Sequence, residues 1–272
     1  MKYIQHKIYI LLWLAIPAGF MMLYPYIKDV PLYLEWLTTG IVVAVLFFSV
    51  VVHELCHGLA ARIGGDPTAE NAGRLTFNPV RHVSLVGTVA VPLFLHLINA
   101  GVVIGWAKPV PFNPIRLRRH PRDQVMLAMA GPLSNFLLAY LCFTLYLCAG
   151  FVFNRLFPET PVSLYLDIST PMSFQHIPFE AFWFVFFEFL EIGIVINIVL
   201  GIFNLIPFPP LDGSWILKSL LPKKASAFLG KMQVFGFLLL FLALHFRLLD
   251  VFFYPAGIVL MLFQHIASLT LG

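Results

Sequence analysis

His53-Glu54-Leu55-Cys56-His57 places two imidazoles four residues apart, with a carboxylate beside the first. On a helix, positions i and i+4 share one face, so both rings can reach a single metal ion. Imidazole suits zinc. Glu54 lies ~100° round such a helix from His53. It is turned away from the metal but can reach a water beside it, as a general base does. The plainer alternative is that these groups pair only for structure. In an apolar helix two histidines and a carboxylate are expensive to keep, and such groups usually carry function.

A hydrolytic zinc takes three protein ligands and leaves one position open. The third ligand expected here is Asp212, in Asn204-Leu205-Ile206-Pro207-Phe208-Pro209-Pro210-Leu211-Asp212-Gly213, directly after a long apolar run. Three prolines end that helix, and Gly213 permits a tight turn. An Asp-Gly pair after prolines is ordinarily just a turn; the two histidines are what make it a candidate ligand.

The elements that position these residues belong in a bilayer. Of 272 residues, 60% are hydrophobic and 11% charged, about half the charge of a soluble domain. The net charge of +4 comes from basic loops beside apolar runs, which speaks for membrane topology rather than for nucleic acid, and no nucleic-acid motif is present. Cys56, Cys142 and Cys148 form no C-x-x-C pair and read as small buried residues. Apolar runs span 8–27, 36–61, 83–106, 125–153, 182–206, 232–245 and 251–271; a span needs about 20 apolar residues. The first run reads as an uncleaved anchor.

Loop charge orients the runs. Lys2 and Lys7, then Arg62, Arg74 and Arg81, then Lys108, Arg116, Arg118, Arg119 and Arg122, then Lys218, Lys223, Lys224 and Lys231 mark cytoplasmic segments. The stretches flanking 83–106 are both basic and should share a side, so this run is expected to dip in and return. Gly87, Pro92, His96, Asn99, Gly101 and Gly105 would all weaken a straight helix there. The expected fold is an all-α polytopic membrane protein with about six transmembrane helices, plus a re-entrant hairpin with room for short β-strands. It forms a single domain over 1–272, with a core of about 36–217 and flanking helices at 8–27 and 232–271. Both termini are cytoplasmic. Seventeen uncharged residues, 36–52, precede His53 and cover roughly 25 Å of a ~30 Å hydrocarbon core. The metal then lies inside the membrane, towards its cytoplasmic face.

H-E-x-x-H in one spanning helix, with N-x-x-P-x-P-x-L-D-G after a later one, resembles the site-2 protease family of intramembrane metalloproteases. Gly131-Pro132-Leu133-Ser134-Asn135, Phe77-Asn78-Pro79-Val80-Arg81-His82 and Gly105-Trp106-Ala107-Lys108-Pro109-Val110-Pro111 resemble its compact prokaryotic branch, without the PDZ or CBS domains of others. The match covers roughly 50–217. The resemblance implies one catalytic Zn2+ on His53, His57 and Asp212, Glu54 as the base, and location in a prokaryotic cytoplasmic membrane. It also implies substrate contacts from Asn135 and Asn204, for which helix–helix hydrogen bonding is the equal alternative. The implied partners are the lipid bilayer and single-pass membrane protein substrates: anti-sigma factors, membrane-tethered regulators or remnant signal peptides. Ser84 departs from the acidic residue common at this place.

Two other classes compete. Glu188, Glu191 and Asn197 in the fifth run would suit a membrane cation transporter, although no repeated halves accompany them; a water inlet or the external surface would equally account for the glutamates. An inactive helix-binding scaffold would have no need of an intact H-E-x-x-H and Asp212.

Overall fold

The protein is described here from a computed structural model, which covers residues 2–27, 31–91, 94, 97, 107–164, 166, 179–232 and 235–271. The helices are α1 (Lys2–Ile27), α2 (Pro31–Ile63), α3 (Thr68–Asn71), α4 (Arg122–Leu156), α5 (Glu180–Leu205), α6 (Asp212–Leu220), α7 (Lys223–Met232), α8 (Gly236–His245) and α9 (Asp250–Leu271). Short 3-10 turns lie at Pro79–Arg81 and Pro114–Arg116, and a π-turn at Leu85–Ala90. Among the described residues none is in a strand.

Five of these helices are long and apolar enough to cross a membrane: α1, α2, α4, α5 and α9. Their apolar residues surround the helix instead of marking one face, the pattern of a lipid span. The run 232–245 is more complex than one short crossing. α7 and α8 pass the same test only together, bent by 75°, and would make a sixth span. Of the expected hairpin at 83–106, the π-turn is described, with the Ser84 hydroxyl accepting from the Gly87 N–H at its start. Most of 92–106, with any strands there, lies outside the described residues.

The chain clusters into two compact units, and α2, α4, α5 and α9 contribute to both. The first comprises Met1–Ser49, Phe136–Val199 and Ala256–Gly272. It is held by aromatic packing: Phe153 lies against Trp183 and Phe187, Tyr146 meets Phe187, and Tyr24 stacks on Phe184. Glu188 and Glu191 are buried here. Glu191 accepts the Leu166 backbone N–H, a structural use of the carboxylate. The three cysteines are free; instead of being buried, Cys56 and Cys142 are half-buried and Cys148 is exposed.

The second unit comprises Val50–Asn135 and Leu200–Pro255. Ala60 and Ala61 of α2 pack against Leu127, with Phe112, Met126 and Ala130 around them. A separate apolar cluster of Ile206, Leu211, Leu240, Ala243 and Leu249 surrounds the proline-rich turn between α5 and α6.

Just before the second 3-10 turn, residues 107–113 form an extended segment beside the C-terminal half of α2. Pro109 and Pro111 have no N–H, so Lys108 and Val110 carry the donors of that stretch. Both are used: Lys108 N–H donates to the His82 carbonyl at 2.8 Å, and Val110 N–H to Glu54 Oε2 at 2.8 Å. Further on, the Asn113 N–H donates to buried Asp66, which also accepts from the Thr68 backbone and hydroxyl. Burial alone would raise the Asp66 carboxyl; the bonds from Asn113 and Thr68 outweigh it and hold the group below its ordinary value of 3.8. A depressed pKa contributes stability that is complete above the unfolded value and lost as pH falls through the folded one. Asp66→Asn should therefore cost about 1–3 kcal/mol at neutral pH. In thermal unfolding in detergent, the gap to wild type should be constant from pH 7 down to about 4 and close below it.

Candidate metal centre

His53 and His57 lie one turn apart on α2, and Asp212 is the first residue of α6. Their side chains are 9%, 11% and 20% exposed, so the site is largely buried and most open at Asp212. The Nε2 atoms of the two histidines are 3.0 Å apart, and each is 3.1 Å from Asp212 Oδ2. Among the described residues this trio is the group that could hold a metal ion.

The outer atoms of the rings decide what the inner ones carry. His53 Nδ1 is 2.6 Å from Asn135 Oδ1, and His57 Nδ1 is 2.8 Å from the Leu127 carbonyl. Both oxygens accept, so each Nδ1 carries the ring hydrogen and each Nε2 of the neutral ring presents a bare lone pair. Two imidazole lone pairs and a carboxylate oxygen then crowd together with no hydrogen among them. Three acceptors at that spacing repel unless a proton or a metal cation lies between them. Tetrahedral zinc with ~2.0–2.1 Å bonds separates its ligand atoms by ~3.3 Å, close to the spacing seen, so this donor set fits zinc. Hydrogen bonds from the far side of metal-binding histidines are the usual means of fixing their tautomer.

Two glycines make the approach of the elements possible. A Cβ on Gly131 of α4 would lie 2.4 Å from His57 Nε2 and 2.5 Å from His53 Nε2. A Cβ on Gly213 would lie 2.2 Å from the Leu205 carbonyl and 2.5 Å from that of Ile206, where α6 begins against the end of α5. Trp215 of α6 also meets Phe112 edge-on, with ring centroids 5.4 Å apart, which fixes α6 against the extended segment.

The structure brings His53, His57 and Asp212 together and puts Asn135 directly behind His53. Asn135 is fully buried. Asn204 is engaged elsewhere, its Nδ2 donating to the Leu200 carbonyl one turn back in α5. Glu54 is half-buried, facing the extended segment through Val110. Four contributors were not assigned a role at this site from sequence: the Leu127 carbonyl, Gly131 as a close-approach point, the Val110 N–H, and Arg74. The Nη2 of Arg74 donates to the Lys108 carbonyl at 2.6 Å and the Pro109 carbonyl at 3.3 Å, pinning the segment that reaches Glu54. Gly131 and Asn135 are four apart on α4, and that shared face was the one available signal.

The family model described as peptidase family M50 matches residues 41–244, three quarters of the chain and all of this centre. The chain belongs to peptidase family M50. Among its relatives, YwhC of Bacillus subtilis, named as a zinc metalloprotease, is 32% identical over 196 residues, 72% of this chain and 76% of that protein. Rip2 of Mycolicibacterium smegmatis, also named as a zinc metalloprotease, is 24% identical over 204 residues, 73% of this chain and 64% of that relative's length. No solved structure matches. The protein is thus a site-2 protease family member, an all-α, multi-pass membrane chain of the M50 zinc metalloprotease type.

Proposed function

We propose that this M50 protein is an intramembrane zinc endopeptidase that hydrolyses peptide bonds within the membrane-spanning segments of other proteins. The observation that carries the reading is the triangle of two imidazole lone pairs and one carboxylate oxygen, 3.0–3.1 Å on a side, built on a helix apolar enough to span. His53, His57 and Asp212 would hold one zinc ion, which when bound supplies a Lewis acid for the scissile carbonyl and lowers the pKa of water. Asn135 and the Leu127 carbonyl keep the two imidazoles in the tautomer that presents Nε2. Glu54, beside His53, takes a proton from the attacking water and returns it to the leaving amine. The Val110 N–H orients that carboxylate through one oxygen. Helical substrate hides its scissile carbonyls, so it must unwind before Glu54 can act on it. Asn204 lies at the end of α5, before the turn that carries Asp212, and is proposed to contact the unwound chain.

The chain is proposed to reside in a prokaryotic cytoplasmic membrane with both termini cytoplasmic, on the loop charges given above. Its substrates are proposed to be single-pass proteins: anti-sigma factors, membrane-tethered regulators or remnant signal peptides. A membrane-embedded model substrate, cut by the reconstituted protein and mapped by mass spectrometry, should show its cut inside the apolar stretch. Cuts confined to soluble flanks would overturn the intramembrane reading.

A further inference from the structure

Beside the extended segment lies a cavity of about 380 Å³ whose walls include Arg74, Arg81 and Lys108 together with Val80 and Pro111. It has three cations and no acid in its lining. Among the described residues no carboxylate lies within ion-pair distance of any of the three. Arg81 and Lys108 are exposed at the rim, and Arg74 is only 6% exposed. The Arg74 guanidinium spends Nη2 on two backbone carbonyls, while its buried Nε has no partner. A charge buried this far without a contacting counter-charge is costly, and structures keep such groups paired. Burial pulls the Arg74 guanidinium below its ordinary value; the Glu54 charge opposes that and Arg81 adds to it, so Arg74 lies in the fields of both.

We propose that this cavity is a substrate subsite that takes an acidic side chain, Asp or Glu, of the polypeptide being cut. The proposal rests on the peptidase reading above. Its register follows from the segment itself. Lys108, on the cavity wall, is two residues from Val110, whose N–H is on Glu54. At ~3.3 Å per extended residue that is ~7 Å. A substrate laid alongside therefore presents its acid two to three residues from the scissile bond. Paired guanidinium and ammonium groups suit a carboxylate.

Binding tests this independently of turnover. Glu54→Gln protein in neutral-lipid vesicles is titrated with labelled transmembrane substrates that differ only as Asp or Asn at each position within three residues of the mapped cut. Because this variant leaves substrate intact, no newly formed C-terminus contributes. At one register Asp should bind about tenfold tighter than Asn, the effect of one charge-assisted hydrogen bond. Adding Arg81→Gln and Lys108→Gln should lower the ratio, and adding Arg74→Gln to both should bring it to about one. Equal binding of Asp and Asn at every register would overturn the proposal. So would an acid preference that survives when all three of Arg74, Arg81 and Lys108 are changed to Gln. A third arm repeats the titration with anionic phosphatidylglycerol. Lipid-dependent binding that vanishes in the pocket variants, with an Asp-to-Asn ratio of one throughout, would mean that the cavity holds a lipid headgroup and not substrate. If wild type cuts nothing, the Asp/Asn scan is run along the whole apolar stretch, and an acid preference there would leave the subsite standing and remove the peptidase reading.

Discussion

Glu54→Gln should lower kcat on a membrane-embedded substrate by about 10²–10⁴-fold, the usual contribution of a general base, while leaving bound zinc at the wild-type level. The substitution is close to isosteric. A glutamine carbonyl can still accept the Val110 N–H that now binds Oε2 at 2.8 Å, so the extended segment stays in place. Glutamine cannot take a proton from water at neutral pH, so the chemical step alone is removed. The ligand triangle does not use Glu54, and metal content should not respond. Single-turnover cleavage with zinc analysis by mass spectrometry separates the cases. Loss of zinc together with activity would make Glu54 a structural support of the centre. Unchanged turnover would leave the base unassigned.

Gly131→Ala should abolish zinc binding, and activity with it, although it adds one methyl group and favours helix by propensity. Alanine normally stabilises a helix by roughly 1 kcal/mol over glycine, so a protein without a tight contact here would gain stability. The added carbon would instead stand 2.4 Å from His57 Nε2 and 2.5 Å from His53 Nε2, in the space that the ring lone pairs and their cation require. The rings cannot simply swing aside. Asn135 holds one and the Leu127 carbonyl the other, and α4 carries both anchors. The expected phenotype is a folded, helical protein with wild-type detergent solubility, little bound zinc and no cleavage. Retained zinc would mean that α4 shifts easily, and that the close approach is not a requirement of the centre.

These two sites also mark what could be read from sequence. That His53, His57 and Asp212 come together was legible because H-E-x-x-H sets two groups on one helical face, and because prolines at 207, 209 and 210 must end the helix ahead of Asp212. The long spans were legible from uninterrupted apolar length. The run at 232–245 was not, since hydropathy counts length and says nothing of a 75° bend between α7 and α8. The groups behind the ligands were hidden for a different reason. The Leu127 carbonyl and the Val110 N–H belong to the backbone, and no residue type announces a backbone contact with a histidine 70 positions away or a glutamate 56 positions away. Asn135 illustrates the same limit. Its type suggested substrate binding or helix pairing; its position, fully buried with Oδ1 against His53, could not be read from type alone. Arg74 read as a topological charge and turned out to be buried against two carbonyls.

The most direct measurement is cleavage of a transmembrane model substrate in liposomes by protein stripped of metal with a chelator, then returned to one equivalent of zinc. The account predicts no cleavage by the stripped protein and recovery to the starting rate with about one zinc per chain, as three ligands forming one centre require. Full cleavage by the zinc-free protein would contradict it.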